Sequence, residues 1–143
     1  MLAADPFVTA PANTTTPAIR RILLVDDERS ILRSLTRALR ALRPEWAVHV
    51  AESGIEALCH LERSSCDALV TDLEMPGIDG LELLLRVQNE HPHVVRLVHS
   101  SRIDSEDSES LRRLAQGAVA KPAHPNHLIS LIESALSAEA EAA

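Results

Sequence analysis

Asp26-Asp27, Asp72, Ser100 and Lys121 are the residues of this chain whose types and spacing suit chemistry, because each stands where an apolar run stops. Ile22 to Val25 runs into Asp26-Asp27, Ala68-Leu69-Val70 into Asp72, Val94 to Val98 into His99-Ser100, and Gly117 to Ala120 into Lys121. After Asp72 come Leu73-Glu74-Met75 and then Pro76-Gly77, the pattern of a buried strand that ends and turns over into a loop. Three carboxylates brought into one cleft repel and raise one another's pKa values, unless a cation compensates them. Mg2+ suits a site with few carboxylates, retained waters and a phosphate oxygen. An ammonium and a hydroxyl then meet the remaining oxygens of a phosphoryl group, and Asp72 becomes a nucleophile that accepts it. Thirteen of the fourteen basic residues are arginine and Lys121 is the only lysine, so an ammonium at that one position stands out.

The elements that must position these residues follow from periodicity. Strands are expected over Arg20–Val25, Trp46–Val50, Ala68–Val70, Val94–Val98 and Gly117–Ala120. The first helix starts near Ser30, carries Ile31, Leu32, Leu35, Leu39 and Leu42, and stops at Arg43 because Pro44 disfavours helical geometry before it. Ser53 caps a second helix with Ile55, Ala57, Leu58 and Leu61, and Asp79-Gly80 opens a third with Leu81, Leu84, Leu85 and Val87. A weak helix around Leu111 and Leu114 and a last one over about His124–Leu136 complete the set. Alternation of five strands with five helices implies a parallel sheet covered on both faces, and the arrangement fits an α/β, flavodoxin-like (βα)5 doubly wound fold of strand order 2-1-3-4-5. The strand ends then share one edge, where such folds gather their functional residues.

Bulk properties narrow the function. A length of 143 residues fits one domain: a disordered, Ala/Thr/Pro-rich leader over 1–18, the domain over 19–138, and a frayed alanine-rich tail over 139–143. A net charge of −7, with Phe7 and Trp46 as the only Phe, Tyr or Trp residues, argues against nucleic-acid binding. No apolar run is long enough to span a membrane, no signal peptide is evident, and two cysteines give no disulfide framework, so a cytoplasmic location is expected. His91 with His93, and His124 with His127, sit at predicted helix borders and read as solvated or capping residues rather than metal ligands. Cys59 and Cys66 read as packing and loop residues, and the acids from Asp104 to Glu109 as a solvated face.

Taken together, Asp26-Asp27, Asp72, Ser100 and Lys121-Pro122 resemble the receiver domain of two-component response regulators, over about Arg20 to Leu136. Asp72-Leu73-Glu74-Met75-Pro76-Gly77-Ile78-Asp79-Gly80 resembles the phosphoacceptor loop of that family. The resemblance implies that Asp72 is the phosphoacceptor, that Asp27 and Asp72 bind Mg2+ directly, that Asp26 assists through water, and that the backbone carbonyl of Glu74 completes the protein ligands. Lys121 would hold the phosphoryl group, with a cis bond to Pro122 placing its side chain. Ser100 would be the hydroxyl that moves toward the phosphoryl group, and the Ser101 amide a further donor.

The same resemblance implies that a sensor histidine kinase or histidine phosphotransfer protein donates the phosphoryl group. The phosphorylated product would then contact a downstream protein, with a homodimer as one form. The chain would not be an enzyme beyond self-phosphorylation and self-dephosphorylation.

Two features bear on how this chain would use such a site. Receivers carry an aromatic or histidine switch residue three positions before the site lysine, and here that position is Ala118. Output is therefore expected from ordering of the loop over 100–107 or from another face. In receivers the positions two past the phosphoacceptor and two past the hydroxyl residue flank the phosphoryl group; here they are Glu74 and Arg102, and the resemblance implies that they pair and shield it from water. The alternatives are a degenerate receiver acting as a constitutive scaffold, a receiver cut from a longer regulator, and an aspartate phosphatase or flavin protein on the same fold. Asp-Asp-Glu after the first strand speaks against flavin phosphate, and Glu74 only loosely supplies the second acid a phosphatase needs.

Overall fold

A computed structural model describes residues 19–103 and 108–142. The leader expected over 1–18, and Asp104 to Asp107 within the acidic stretch, lie outside the described residues. Five strands, β1 (Arg21–Val25), β2 (Ala47–Ala51), β3 (Ala68–Thr71), β4 (Val95–Ser100) and β5 (Gly117–Ala120), form one sheet in the order β2-β1-β3-β4-β5. Every neighbouring pair is parallel, in the 2-1-3-4-5 order expected. The helices are α1 (Arg29–Leu42), α2 (Gly54–Arg63), α3 (Gly80–Glu90), α4 (Ser108–Leu114) and α5 (Pro125–Ala142).

The central strands read as unbroken apolar runs because both faces are covered. Ile22, Leu24, Val70 and Leu97 face α1 and α5, where Leu32, Leu39, Leu128 and Ile132 meet them. Leu23, Val25, Leu69 and Val98 point the other way, against Ala57 and Leu61 of α2, Leu83, Leu84 and Val87 of α3 and Leu111 of α4. Each such buried aliphatic side chain contributes about 1.5–3 kcal/mol relative to an exposed one.

Helix starts follow local chemistry. The Ser53 side chain accepts from the Glu56 N–H, and Asp79 Oδ1 accepts from Glu82 N–H at 2.9 Å, each satisfying an otherwise orphan donor. Three apolar residues assigned to core faces by spacing are exposed instead: Leu42, Ile55 and Leu85. In α3, Leu83 and Leu84 fill the two inward positions and leave Leu85 outside. The last helix runs on to Ala142, past Leu136 and through most of the stretch set apart as a frayed tail. Its apolar stripe ends, but alanine and glutamate favour helix without one.

Candidate functional site

The register fixes which strand ends meet. Val25 lies beside Thr71 on adjacent strands, so Asp26 and Asp72 emerge together at the C-terminal edge. Ser100 lies beside Ala120, and the Lys121 N–H donates to the Ser100 carbonyl at 3.0 Å, which brings the lysine to the same edge. Carboxylate oxygens of Asp26, Asp27 and Asp72 all lie within 4.8 Å of one another. Asp26 and Asp72 are buried, whereas Asp27 is exposed at the mouth. Lys121 Nζ sits between the buried pair, 2.8 Å from Asp26 Oδ2 and 3.0 Å from Asp72 Oδ2, with Glu28 Oε1 at 3.6 Å.

Each buried carboxylate divides its oxygens between backbone and lysine. Asp26 Oδ1 accepts from the Glu28 N–H at 2.9 Å, and Asp72 Oδ1 from the Leu73 N–H at 2.7 Å and more loosely from Glu74 N–H. These amides hold the carboxylates in place, while the Oδ2 atoms face the cleft. Burial alone would lower the Lys121 pKa, but the hydrogen bonds it donates to Asp26 and Asp72, and their charges, outweigh it and hold the ammonium above its usual range.

The donor set suits a hard divalent cation: three carboxylates converge, and one of them is open to solvent. Glu74 contributes no side chain to this set, because its Oε2 accepts from Arg102 Nη1 at 3.0 Å. Any part it takes in holding a metal falls to its carbonyl, and the expected Glu74–Arg102 pair is present. Ser100 is fully buried at the end of β4, and its hydroxyl accepts from the Arg102 N–H at 3.1 Å. The Lys121–Pro122 peptide bond is cis. The loop after Asp72 turns at Gly77, whose φ of 82° favours glycine. Ala118 is exposed on β5 and presents only a methyl group where a ring was expected to be missing.

Two residues at the site escaped the sequence reading. Gly80 is more than a turn residue: a Cβ there would collide with the Asp72 carbonyl and the Leu73 Cα, so only glycine lets the start of α3 press against the loop. Gly80 N–H also donates to the Leu73 carbonyl at 2.9 Å. His99 was passed over because it precedes Ser100 in an apolar strand, yet it is buried beneath the site and its Nε2 accepts from the Ala123 N–H at 3.3 Å. Burial lowers its pKa, Lys121 lowers it further, and Asp26 and Asp72 only partly oppose them. No sequence signal distinguishes it from a packing residue.

Two of the histidines expected at helix borders, His91 and His124, do stand at helix ends. The backbone of His91 closes α3, and His124 Nδ1 accepts from Asn126 N–H at the start of α5. The His91 ring does lie near Glu62 and Glu90, a grouping of possible metal donors that spacing along the chain cannot reveal. Both cysteines are free, and burial pushes the Cys66 thiol up to about 12.

Comparison with known proteins agrees with this fold. The response regulator receiver domain, as a family profile, matches residues 22–133. The chain is 35% identical over 120 residues to the hydrogenase transcriptional regulatory protein HoxA of Cupriavidus necator, covering 82% of this chain and 24% of that protein. It is 37% identical over 119 residues to the response regulator MprA of Mycobacterium leprae, covering 81% of this chain and 50% of MprA. The chain thus spans half or less of the length of these relatives. A CheY-like response regulator receiver domain protein of Methanospirillum hungatei has the same fold, with a TM-score of 0.82 at 24% identity over 88% of this chain and 100% of that one.

Proposed function

This chain belongs to the response regulator receiver domain family, and from that premise we propose that it is a phosphoacceptor module in which Asp72 takes a phosphoryl group from the phosphohistidine of a sensor kinase or phosphotransfer protein. The observation that carries the reading is Lys121 Nζ, held between Asp26 and Asp72 beside the exposed carboxylate of Asp27. An Asp72 carboxylate oxygen attacks phosphorus, the P–N bond breaks, and the imidazole keeps the electron pair and takes up a proton. Lys121 leaves its salt bridge to Asp72 as that charge moves onto the acyl phosphate, and pairs with a phosphoryl oxygen instead.

Asp26, Asp27 and Asp72, with the Glu74 carbonyl, would hold Mg2+. When bound, the ion supplies neutralisation of charge on the transferring phosphoryl oxygens. The role of the chain itself is to fix the carboxylates by the Glu28 and Leu73 amides and to keep one ammonium in reach. The Arg102–Glu74 pair stands beside Asp72 and limits access of attacking water. Ser100 is tied through the Arg102 amide to that pair, so drawing its hydroxyl toward the phosphoryl group would loosen Arg102. Such a link would carry the output where Ala118 has no ring to move. No turnover beyond self-phosphorylation and self-dephosphorylation is expected, and the free thiols suit a cytoplasmic setting.

Intact mass after incubation with acetyl phosphate tests this directly. A Mg2+-dependent gain of one phosphoryl group, lost in Asp72→Asn, is expected. No gain in the native chain under conditions where Mg2+ binds would overturn it and favour a scaffold whose acids have lost their function.

A further inference from the structure

Among the described residues β2 is an outer strand, paired only with β1. Ala47 donates to the Arg20 carbonyl and Ala51 accepts from Asp26 N–H, so the odd-numbered residues of β2 direct their backbone groups inward. By alternation, the N–H and C=O of Val48 and Val50 point outward. Arg40 Nη2 takes the Val48 carbonyl at 3.1 Å. The two valine N–H groups and the Val50 carbonyl have no protein partner among the described residues. Val50 is also one of the few large apolar side chains left 43% exposed.

A groove of roughly 780 Å3 wraps this edge, with Arg33, Arg37 and Arg40 on its α1 side, His60 on its α2 side and His49 and Val50 between. Together with Arg29, the three arginines lie at i, i+4, i+8 and i+11, one stripe on the helix, in a chain whose net charge is −7. Thr36 Oγ1 on the same wall is buried with no hydrogen-bond partner among the described residues. Glu52, just past the end of β2, reaches Arg29 at 3.0 Å, so a carboxylate carried on the line of the edge already meets the stripe. Arg33 and Arg37 form no ion pair among the described residues.

We propose that this edge binds an extended, acidic segment of a partner protein, added as a sixth strand with carboxylates at alternate positions against Arg33 and Arg37. An added strand points successive side chains to opposite faces. One set would meet the arginines of α1 on the face where Val48 packs, and the other the neighbouring rings of His49 and His60, whose centroids are 5.1 Å apart. Backbone pairing supplies affinity and the stripe supplies the preference for acids. A second copy joined edge to edge would set one arginine stripe against another. Residues 1–18 carry a single acid, Asp5, and lack the alternating charge the groove calls for.

Fluorescence anisotropy of a labelled short peptide of alternating Glu and Val, titrated with the full chain, tests the proposal. Val50→Pro removes only an outward N–H, a change edge strands tolerate, and Arg33→Ala with Arg37→Ala removes the charge. Each is expected to weaken binding roughly tenfold, equivalent to about 1.4 kcal/mol, while a Lys/Val peptide does not bind. Bound peptide should slow hydrogen exchange at the Val48 and Val50 amides of the native chain, a readout that stands even if Val50→Pro does not fold. Unchanged exchange at both amides, undiminished affinity in a folded Val50→Pro chain, or tighter binding of duplex DNA or anionic lipid vesicles would overturn it.

Discussion

The C-terminal rim of the sheet and the β2 edge both gather like charges, and they handle them in opposite ways. At the rim, Asp26 and Asp72 are buried, and each is tied to backbone amides and to the one lysine of the chain. Along α1, Arg33 and Arg37 stand exposed, and neither forms an ion pair among the described residues. A buried charge must be compensated on the spot because desolvation is costly, whereas water screens an exposed one and leaves it available to another molecule. The rim is therefore a place where removing one group disturbs the others. The edge should tolerate removal of any of its charges.

That contrast can be broken by mutation. The largest effect is expected at Lys121, whose loss strands two buried carboxylates. Lys121→Ala should lower unfolding stability by roughly 3–5 kcal/mol in metal-free buffer, read from urea melts, with partial recovery in excess Mg2+. A cost no greater than that of Arg33→Ala would dissolve the distinction.

Gly80→Ala comes next. Its methyl would meet the Asp72 carbonyl and Leu73 Cα, and overpacking of this kind costs about 1–3 kcal/mol. Because the clash moves the Asp72 loop, the rate of phosphoryl gain by mass should fall as well. Normal rates with lowered stability would show that the loop and the carboxylate move independently.

His99 sharpens the comparison through pH. Its folded pKa is lowered, first by burial and then by Lys121, so the unfolded chain takes up a proton before the folded one does. The stability it permits is fully present above the ordinary value of about 6.5 and is lost as pH falls below it toward the folded pKa. His99→Asn should make the acid-side decline of the melting temperature shallower. His60, also lowered by burial, stays in the variant and accounts for part of the remaining slope. An unchanged slope would mean that His99 is not the buried base beneath the rim.

The smallest effect is expected on α1. Arg33→Ala or Arg37→Ala should change stability by no more than about 0.5 kcal/mol, and relief of repulsion between arginines four apart can make the sign favourable. A loss well above that would show that these side chains pack rather than wait for a partner.

Much was legible before the structure. β5 begins and ends where its apolar run does, Ser53 and Asp79 cap as their types suggest, and the parallel sheet follows from alternation of strand and helix. Asp26, Asp27, Asp72, Ser100 and Lys121 were marked by their place at the ends of apolar runs, and the Glu74–Arg102 pair only by the resemblance to receivers. Periodicity erred where a helix offered more leucines than its inner face could hold, as at Leu85, and where a stripe ended before the helix did, beyond Leu136.

The sequence by itself determined the elements and the types of the functional groups, because cap chemistry and hydrophobic period are local properties that a few neighbouring residues carry. The tertiary structure alone decided what stands opposite each group. Lys121 reaches Asp72 across 49 residues of chain, Gly80 gives room to a carbonyl eight positions earlier, and His99 has its pKa lowered by burial and by the lysine just past the next strand. The same holds for the groove at β2, assembled from two helices and a strand edge that no single stretch contains. Coulomb and desolvation energies depend on distance and burial, and neither exists until the sheet brings its strand ends together.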